Sequence, residues 1–357
     1  MLIDSMHHAL QGMTRRQVLG AGAASMSSAA LAGLGGPLGA NAQPAGGPFD
    51  FSKPSDNLHA WAKTWGTLGD EPVYGGHEGT FFAVVGQQRA IPLVGYVGFG
   101  SLQFKVLPDG SLRYRGKDAT YYTDLATGKI IDEWRNPFTG ENCKVYPYIN
   151  ARVRTTMPAA YPSEAFSTDH YGWQISIGHA TRKDERGKAY HGERGGGERR
   201  PFVLPWKRVG DYYMLGWDWA LEVVNPVTPE GWPDSSTGAV INPSEHFVFF
   251  VPARELEDRS RPWATMLAGF FRQTPWLPWM KMGRSAIQGV MFARSHSYKV
   301  TGGLDNIPAV VRERLERDHP DMLKPPTDWE DGPIGSTWGY YASVVPPENP
   351  RYRKEKP

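Results

Sequence analysis

The residues best suited to do chemistry lie close together in one apolar stretch, residues 290–300. If the stretch is a strand, Arg294, His296 and Tyr298 share one side with Phe292. Burying a guanidinium is costly unless it is paired or solvated, so we expect this side to line a cavity rather than a solid core. There His296 would act as base or acid, Arg294 would stabilise negative charge, and Tyr298 would donate a proton.

Two further polar residues join this candidate catalytic group. Glu133 lies in another predicted strand as a partner for Arg294, and His179 falls on the apolar side of a strand predicted over residues 170–181. An arginine neighbour disfavours the imidazolium form, so His296 should be neutral at pH 7 and suited to accept a proton. The expected ligand-binding residues are Tyr171, Trp173, Trp217, Trp219, Phe292 and Arg135.

The same residues also have simpler explanations. Arg294 and His296 would face solvent if Met291 and Ala293 face the core, or they would form a structural pair inside it. His179 is equally compatible with a hydrogen-bonded histidine of the core, and the two tryptophans with ordinary core packing.

No motif in the sequence singles out a cofactor, and we expect none. There is no H-E-x-x-H, although a metal site assembled from His170, His179, His246 and His296 stays open as an alternative. Cys143 is the single cysteine, which excludes cysteine-based zinc and iron–sulfur sites. The glycines at 95, 98 and 100 lie in a strand pattern and therefore predict a bulge or bend rather than a dinucleotide site.

The elements that must position these residues are mostly strands. Gly 41 and Pro 30 among 357 residues, with 12% aromatic residues, indicate many turns and short strands. Alternating stretches predict strands over residues 80–86, 93–106, 111–115, 119–124, 130–135, 170–181, 211–224, 246–251 and 287–300. Helices are predicted over residues 58–65, 261–271 and 307–319.

These elements predict a mainly β fold, between all-β and α+β. We expect a large antiparallel sheet that closes, or nearly closes, into a barrel, because closure hides the strand edges. A few C-terminal helices would pack outside it, and a β-sandwich is the alternative.

The N-terminus carries an export signal. Arg15 and Arg16 precede an apolar run and the small-residue sequence 40–42, which together predict a twin-arginine signal peptide over residues 1–42, with an upstream extension. Cleavage after Ala42 would release the folded protein into the periplasm without a stable membrane span. Residues 43–57 would be a linker, 58–345 a single β-rich domain with helices from about residue 261, and 346–357 a polar tail.

The charge balance limits the partners. Lys+Arg 39 against Asp+Glu 37 gives a net charge of +2, too small a surplus for a broad nucleic-acid surface. The expected partners are therefore a small hydrophobic or aromatic molecule and the twin-arginine export machinery.

Several blocks of the chain resemble a bacterial family known only as a domain of unknown function, whose members often carry twin-arginine leaders. The most specific block is Trp-x-x-Trp-Met, within residues 275–283; the others are residues 134–141, 265–269, 305–308 and 319–326. The resemblance spans roughly residues 55–330 and implies a single exported domain. It implies no activity.

The sequence therefore predicts an exported protein that binds a small hydrophobic or aromatic molecule in a barrel cavity. Its chemistry would be that of a lyase, isomerase or hydratase without a redox cofactor. A non-catalytic periplasmic carrier of a hydrophobic compound is the alternative, and a His-ligated metalloenzyme is the second.

Overall fold

Strands far outnumber helices in the computed structural model. It describes residues 48–157, 160–162, 166–169, 172–175, 199–201, 203–220, 223–329 and 336–352, all of which belong to the unit Pro44–Pro357. The predicted leader lies outside these residues. No helix in the described part of the chain is both long and apolar enough to cross a membrane.

Most consecutive elements along the chain are strands, with a few short helices between them. The strands are β1 (Tyr74–Val85), β2 (Ile91–Val106), β3 (Leu112–Thr123), β4 (Glu133–Arg135), β5 (Asn142–Lys144), β6 (Tyr148–Met157), β7 (Ala160–Pro162), β8 (Phe166–Asp169), β9 (Gly172–Ile175), β10 (Arg199–Pro201), β11 (Lys207–Val209), β12 (Tyr212–Ala220), β13 (Val223–Val224), β14 (Val240–Ile241), β15 (Ser244–Pro252), β16 (Met266–Thr274) and β17 (Gly289–Lys299). The α-helices are α1 (Pro54–Trp65), α2 (Ala253–Glu257), α3 (Ala309–Asp318) and α4 (Thr337–Val344), with short 3-10 turns at Pro278–Met280, Leu304–Asn306 and Pro320–Leu323.

One large sheet organises the molecule. Its antiparallel strands follow the order β6-β3-β2-β1-β17-β16-β15-β12, with β11 also on β12, and β9 and β8 join beyond β12 through a single parallel pairing. The predicted mainly β fold with a large antiparallel sheet and few helices is confirmed. Among the described residues no pairing joins β6 to β8, so closure into a barrel stays a prediction.

The two faces of the sheet carry different helices. On the face that we call inner, α1 packs on β12, β15 and β16 in one apolar cluster, and α4 packs on β1 and β17 in a second. On the outer face, α3 packs on β1, β2 and β3 in a third. The outer face of β12, β15 and β16 carries none of the described helices.

The first long strand pairs with the last. Ten consecutive residue pairs join β1 to β17, with Phe81 opposite Ala293. At Gly79 the two backbones come so close that a Cβ atom would lie 2.2 Å from the carbonyl oxygen of Arg294 and 2.4 Å from the Cβ of Ser295. This approach holds the N-terminal half of the sheet against the C-terminal half.

Two buried lysines tie the N-terminal helix to the sheet. Lys63 of α1 donates to three backbone carbonyls around the end of α2, at 2.5–2.8 Å. Lys299 of β17 donates to the carbonyl oxygens of Lys63 and Gly66, at 2.7 Å and 2.8 Å. Burial lowers the pKa of Lys63 to about 8 and takes that of Lys299 well below its usual value.

Two predictions about elements are wrong. The predicted helix over residues 261–271 is mostly strand β16, because buried Met266 and Ala268 alternate with exposed Leu267 and Gly269, and β15 and β17 supply its backbone partners. The strands predicted over residues 111–115 and 119–124 are one strand, β3.

The predicted linker and tail are also partly ordered. Helix α1 begins at Pro54, inside the linker, and the Asn57 side chain donates to the carbonyl oxygen of Phe51 at 2.8 Å. In the tail, Glu348 accepts a hydrogen bond from the backbone N–H of Asp234 at 2.6 Å. Both segments therefore contain residues that bond to neighbouring parts of the described chain.

Gly79→Ala should destabilise the protein by about 1–3 kcal/mol, because the added methyl overpacks the contact between β1 and β17. Urea unfolding of the two proteins measures the loss. Gly269→Ala, on β16 of the same sheet, is the matched control, since nothing lies within 4 Å of its added Cβ. Equal stability of the two variants would contradict the close approach at Gly79.

Candidate functional site

The predicted inward orientation of Arg294 and His296 is wrong. Both are exposed on the outer face, and the inner face of β17 instead carries buried Met291, Ala293 and Lys299. The inner side chains of this strand also include Ser295 and Ser297. The bulkier outer side chains suggested the opposite assignment.

The other predicted residues near this strand do not gather around it. Glu133 and Arg135 are exposed on β4, which pairs only with β5 among the described strands, and Glu133 forms no ion pair with Arg294 there. Tyr298 is half-buried, with its ring against the backbone of Gly76. Phe292 stacks on the outer face rather than lining an interior.

One of the predicted tryptophans lies in the core, and the other predicted aromatic and histidine side chains fall outside what the structure describes. Trp217 is buried against Trp61, with ring centroids 3.5 Å apart, and is a core residue. Trp173 and Trp219 lie in β9 and β12, but their side chains are outside the described part of the structure. Also outside it are His170, Tyr171 and His179, so their roles stay predictions.

A different set of polar side chains converges on the inner face, between the two apolar clusters. We call this set the polar row; it comprises His77, Asp118, Thr120, Tyr148 and Asn150. Strand pairing brings it together, since Asp118 lies opposite Asn150 and Thr120 opposite Tyr148 across β3 and β6.

Glycine in β2 makes room for the row. His77 on β1 reaches across β2, and its Nε2 lies 3.0 Å from the Thr120 hydroxyl on β3. A Cβ at Gly98 would lie 2.3 Å from that Nε2 atom. The sequence predicts a bulge or bend at Gly95, Gly98 and Gly100, and the irregularity in the β1–β2 pairing falls between Phe81 and Phe82 instead.

Asp118 is the central acid of the row. Burial raises its pKa to about 7, although hydrogen bonds from Tyr148 and Asn150 lower it in part. Its Oδ1 is buried and has no hydrogen-bond partner among the described residues, while the residue as a whole keeps some accessible surface. A carboxyl group in this state is ready to exchange a proton at neutral pH.

The neighbours of Asp118 are neutral at pH 7. Burial lowers the pKa of His77 to about 4, so its imidazole is uncharged. Burial, together with the Asp118 charge, holds the pKa of Tyr148 well above its usual value. The Asn150 amide donates to the Tyr148 hydroxyl at 3.0 Å, which orients that hydroxyl. The row therefore combines one titrating acid with neutral donors and acceptors.

An ion pair lies on the inner face near the row. Arg272 on β16 lies 3.3 Å from Glu245 on β15, and its guanidinium is 5.7 Å from the Trp338 ring centroid. Burial raises the pKa of Tyr96 and Tyr148, and the Arg272 charge offsets a small part of that rise, so it acts on both the row and its border. Arg272 can therefore stabilise negative charge that develops between these strands.

Sequence reasoning missed these residues because each lies in an unremarkable alternating stretch. A signal was available: Asp118 and Thr120 share a side of β3 with Tyr122, which is buried. An acid on a core-facing side, opposite a glycine-rich strand, indicates a polar interior position.

The structure gives no support for a particular metal. Among the residues it describes, no group of three or more His, Cys, Asp or Glu side chains could hold one. His246 and His296 lie on the outer face, and the other two histidines of the alternative fall outside the described residues. The metalloenzyme alternative is therefore not tested.

Comparisons with known proteins give a family without an assigned activity. The model described as "Protein of unknown function (DUF1838)" matches residues 70–345, in agreement with the resemblance found in the sequence. No curated protein matches the chain.

The similar solved structures are distant. The crystal structure of MucB in complex with MucA(peri) is 12% identical, covering 73% of this chain and 97% of that chain, with a TM-score of 0.10. The complex of Pseudomonas aeruginosa MucA/MucB is 12% identical over 73% of this chain and 96% of that chain, also with a TM-score of 0.10. These scores are too low to inform the fold or the function.

Asp118→Asn should change how stability depends on pH. The carboxyl titrates at about 7 in the fold against 3.8 when unperturbed, so the native state binds more protons between these values. The contribution of Asp118 to the free energy of unfolding is therefore fully present below pH 3.8, and it is lost as pH rises through 7. From pH 4 to 8, wild type should therefore lose roughly 2–4 kcal/mol of unfolding free energy relative to the variant.

For His77→Gln, the difference in unfolding free energy between wild type and variant should change with pH in the opposite direction. The native pKa of about 4 lies below the unperturbed 6.5, so the contribution of His77 is present above 6.5 and is lost as pH falls through 4. Urea unfolding at several pH values measures both differences. Asp70→Asn, at an exposed carboxylate, is the control. A difference for Asp118→Asn that stays constant with pH would show an unperturbed carboxyl.

Proposed function

Because the chain belongs to the DUF1838 family, for which no activity is assigned, we propose its function from the polar row. The protein is an acid–base enzyme of the lyase, isomerase or hydratase type, without a redox cofactor. The observation that carries the proposal is the half-buried Asp118, with a pKa of about 7 and one oxygen without a partner among the described residues.

Each residue of the row has a role in this chemistry. The Asp118 carboxylate accepts a proton from a substrate carbon, and the resulting acid returns it to a leaving hydroxyl or a neighbouring carbon. Neutral His77, held by Thr120, accepts a hydrogen bond from the substrate or donates one to it. Tyr148 donates to a substrate oxygen, and Arg272 stabilises the negative charge that develops on it.

The surroundings favour a small hydrophobic or aromatic substrate. Phe247 and Phe270 lie on the inner face with ring centroids 4.5 Å apart, and Tyr96 borders them on β2. A substrate carried on such rings would meet few polar groups except those of the row. A sheet curled into a nearly closed barrel, as the sequence predicts, would enclose it.

A carrier is the second candidate. The aromatic side chains around the row, and the larger apolar clusters beside it, are equally suited to hold a hydrophobic compound without converting it. In that case Asp118 would fix the orientation of the ligand instead of moving a proton.

We also propose, from the sequence alone, that the protein is exported by the twin-arginine route and works in the periplasm. The paired arginines, the apolar run and the small-residue cleavage sequence support this location.

Solvent deuterium reveals acid–base turnover even when the substrate has not been identified. Purified protein is incubated in D2O with a bacterial small-molecule extract, and mass spectrometry identifies compounds that gain deuterium or change by the mass of water. Wild type and Asp70→Asn should convert the same compound, and Asp118→Asn should convert it at least about 100-fold more slowly.

The outcomes separate the two candidates. Full activity in Asp118→Asn would remove this residue from the mechanism. A compound that binds wild type and is recovered without deuterium or mass change would make the protein a carrier.

A further inference from the structure

The outer face of four neighbouring strands, β12, β15, β16 and β17, exposes large apolar side chains. Phe250, Leu267 and Phe271 are 42%, 39% and 41% exposed. None of the described helices packs on the outer side of β12, β15 or β16. Exposed apolar side chains gathered on one face mark a surface that contacts another molecule.

Strand pairing arranges the outer side chains of these four strands in rows that cross the sheet. Residues directly opposite each other on paired strands point to the same face. We call three of these rows the outer rows, and each contains one residue from β12, β15, β16 and β17, in that order. The first is Met214, Phe250, Leu267 and Tyr298; the second is Gly216, Val248, Gly269 and His296; the third is Asp218, His246, Phe271 and Arg294.

The third outer row is acidic at one end and basic at the other. Asp218 lies at the β12 end, where its Oδ1 pairs with His246, and exposed Arg294 lies at the β17 end. Glu78 lies beyond that end on β1, but it belongs to the second outer row, directly opposite His296. The third outer row therefore has opposite charges at equal distances from its centre.

The second outer row contains small and large residues side by side. Nothing lies within 4 Å of a Cβ placed at Gly269, whereas Val248 beside it carries a branched side chain. Gly216 is the small residue at the β12 end, and His296 is the exposed residue at the β17 end. Each open position in this row therefore has a larger side chain at the mirror position across the row.

We propose that this face binds a second copy of the chain, related by a two-fold axis that runs parallel to the strands between β15 and β16. Such an axis exchanges β12 with β17 and β15 with β16, so each outer row meets the same row of the other copy in reverse order. The free carboxylate oxygen of Asp218 then meets the Arg294 guanidinium of the other copy, at both ends of the interface.

The apolar contacts follow from the same axis. Phe250 of each copy packs on Leu267 of the other, and Val248 of each copy fills the open space above Gly269 of the other. Two sheets packed face to face in this way keep their strands nearly aligned, about 10 Å apart.

The face is large enough for a specific interface. With strands of nine or more residues, it measures about 19 Å by 30 Å, so two copies bury roughly 1,100 Å². A specific interface needs roughly 1,000 Å². The interface lies on the opposite face from the polar row and does not depend on the proposed function.

Sedimentation velocity over a range of protein concentrations tests the proposal. Wild type should form a dimer, and Asp218→Arg and Arg294→Asp should each weaken self-association at least about tenfold, because each variant brings like charges together. Arg89→Asp reverses an exposed arginine in the loop between β1 and β2, so it is the matched control and should dimerise as wild type does.

An equimolar mixture of the two charge-reversed variants tests the axis itself. In a mixed dimer the two introduced charges face each other, and so do the two native ones, so the mixture should recover the dimer that neither variant forms alone. This recovery also shows that both variants are folded. Gly269→Trp occupies the space that Val248 of the other copy fills, and it should abolish the dimer while circular dichroism stays unchanged.

Three results would overturn the proposal. One is a wild type that stays monomeric at every concentration; its sedimentation with phosphatidylglycerol vesicles would then make this face a membrane contact. Another is unchanged dimerisation of both charge-reversed variants or of Gly269→Trp. The third is a mixture of the two charge-reversed variants that stays monomeric while wild type dimerises.

Discussion

The close pairing of β1 with β17 is the constraint on which the rest of the structure depends. It joins the two halves of the sheet through residues far apart in the chain, and glycine at position 79 allows the backbones to meet. The same pairing assigns the faces, because it places Phe81 with Ala293 on the inner side and Thr80 with Arg294 on the outer side. The position of the polar row on the inner side follows from that assignment.

The polar row interrupts an otherwise apolar inner face, and such an interruption normally costs stability. Here the cost is limited, since His77 is neutral and Asp118 is protonated in part at pH 7. Gly98 on β2 gives these polar groups room to meet, because a Cβ there would lie 2.3 Å from the Nε2 atom of His77. A site that keeps the pKa of an acid near 7 loses some stability, and the acid can then gain or lose a proton at neutral pH.

The local sequence pattern predicted the strands and helices better than it predicted which face of the sheet each side chain occupies. The strand character of β17, the inner position of Trp217 and the helix ending near Asp318 all follow from periodicity. The outward position of Arg294 does not, because the stacked outer rings cover one another and make the wrong side look like core. The contact from His77 on β1 to Thr120 on β3 passes over β2, so no local stretch of sequence encodes it.

The buried ammonium groups of Lys63 and Lys299 have a practical consequence. Both side chains are sealed against solvent in the intact fold, and each is held by backbone carbonyls of neighbouring elements. Amine-reactive reagents therefore reach these two nitrogens only after α1 has separated from the sheet. The rate at which these two lysines are labelled therefore reports how readily the N-terminal helix detaches from the sheet.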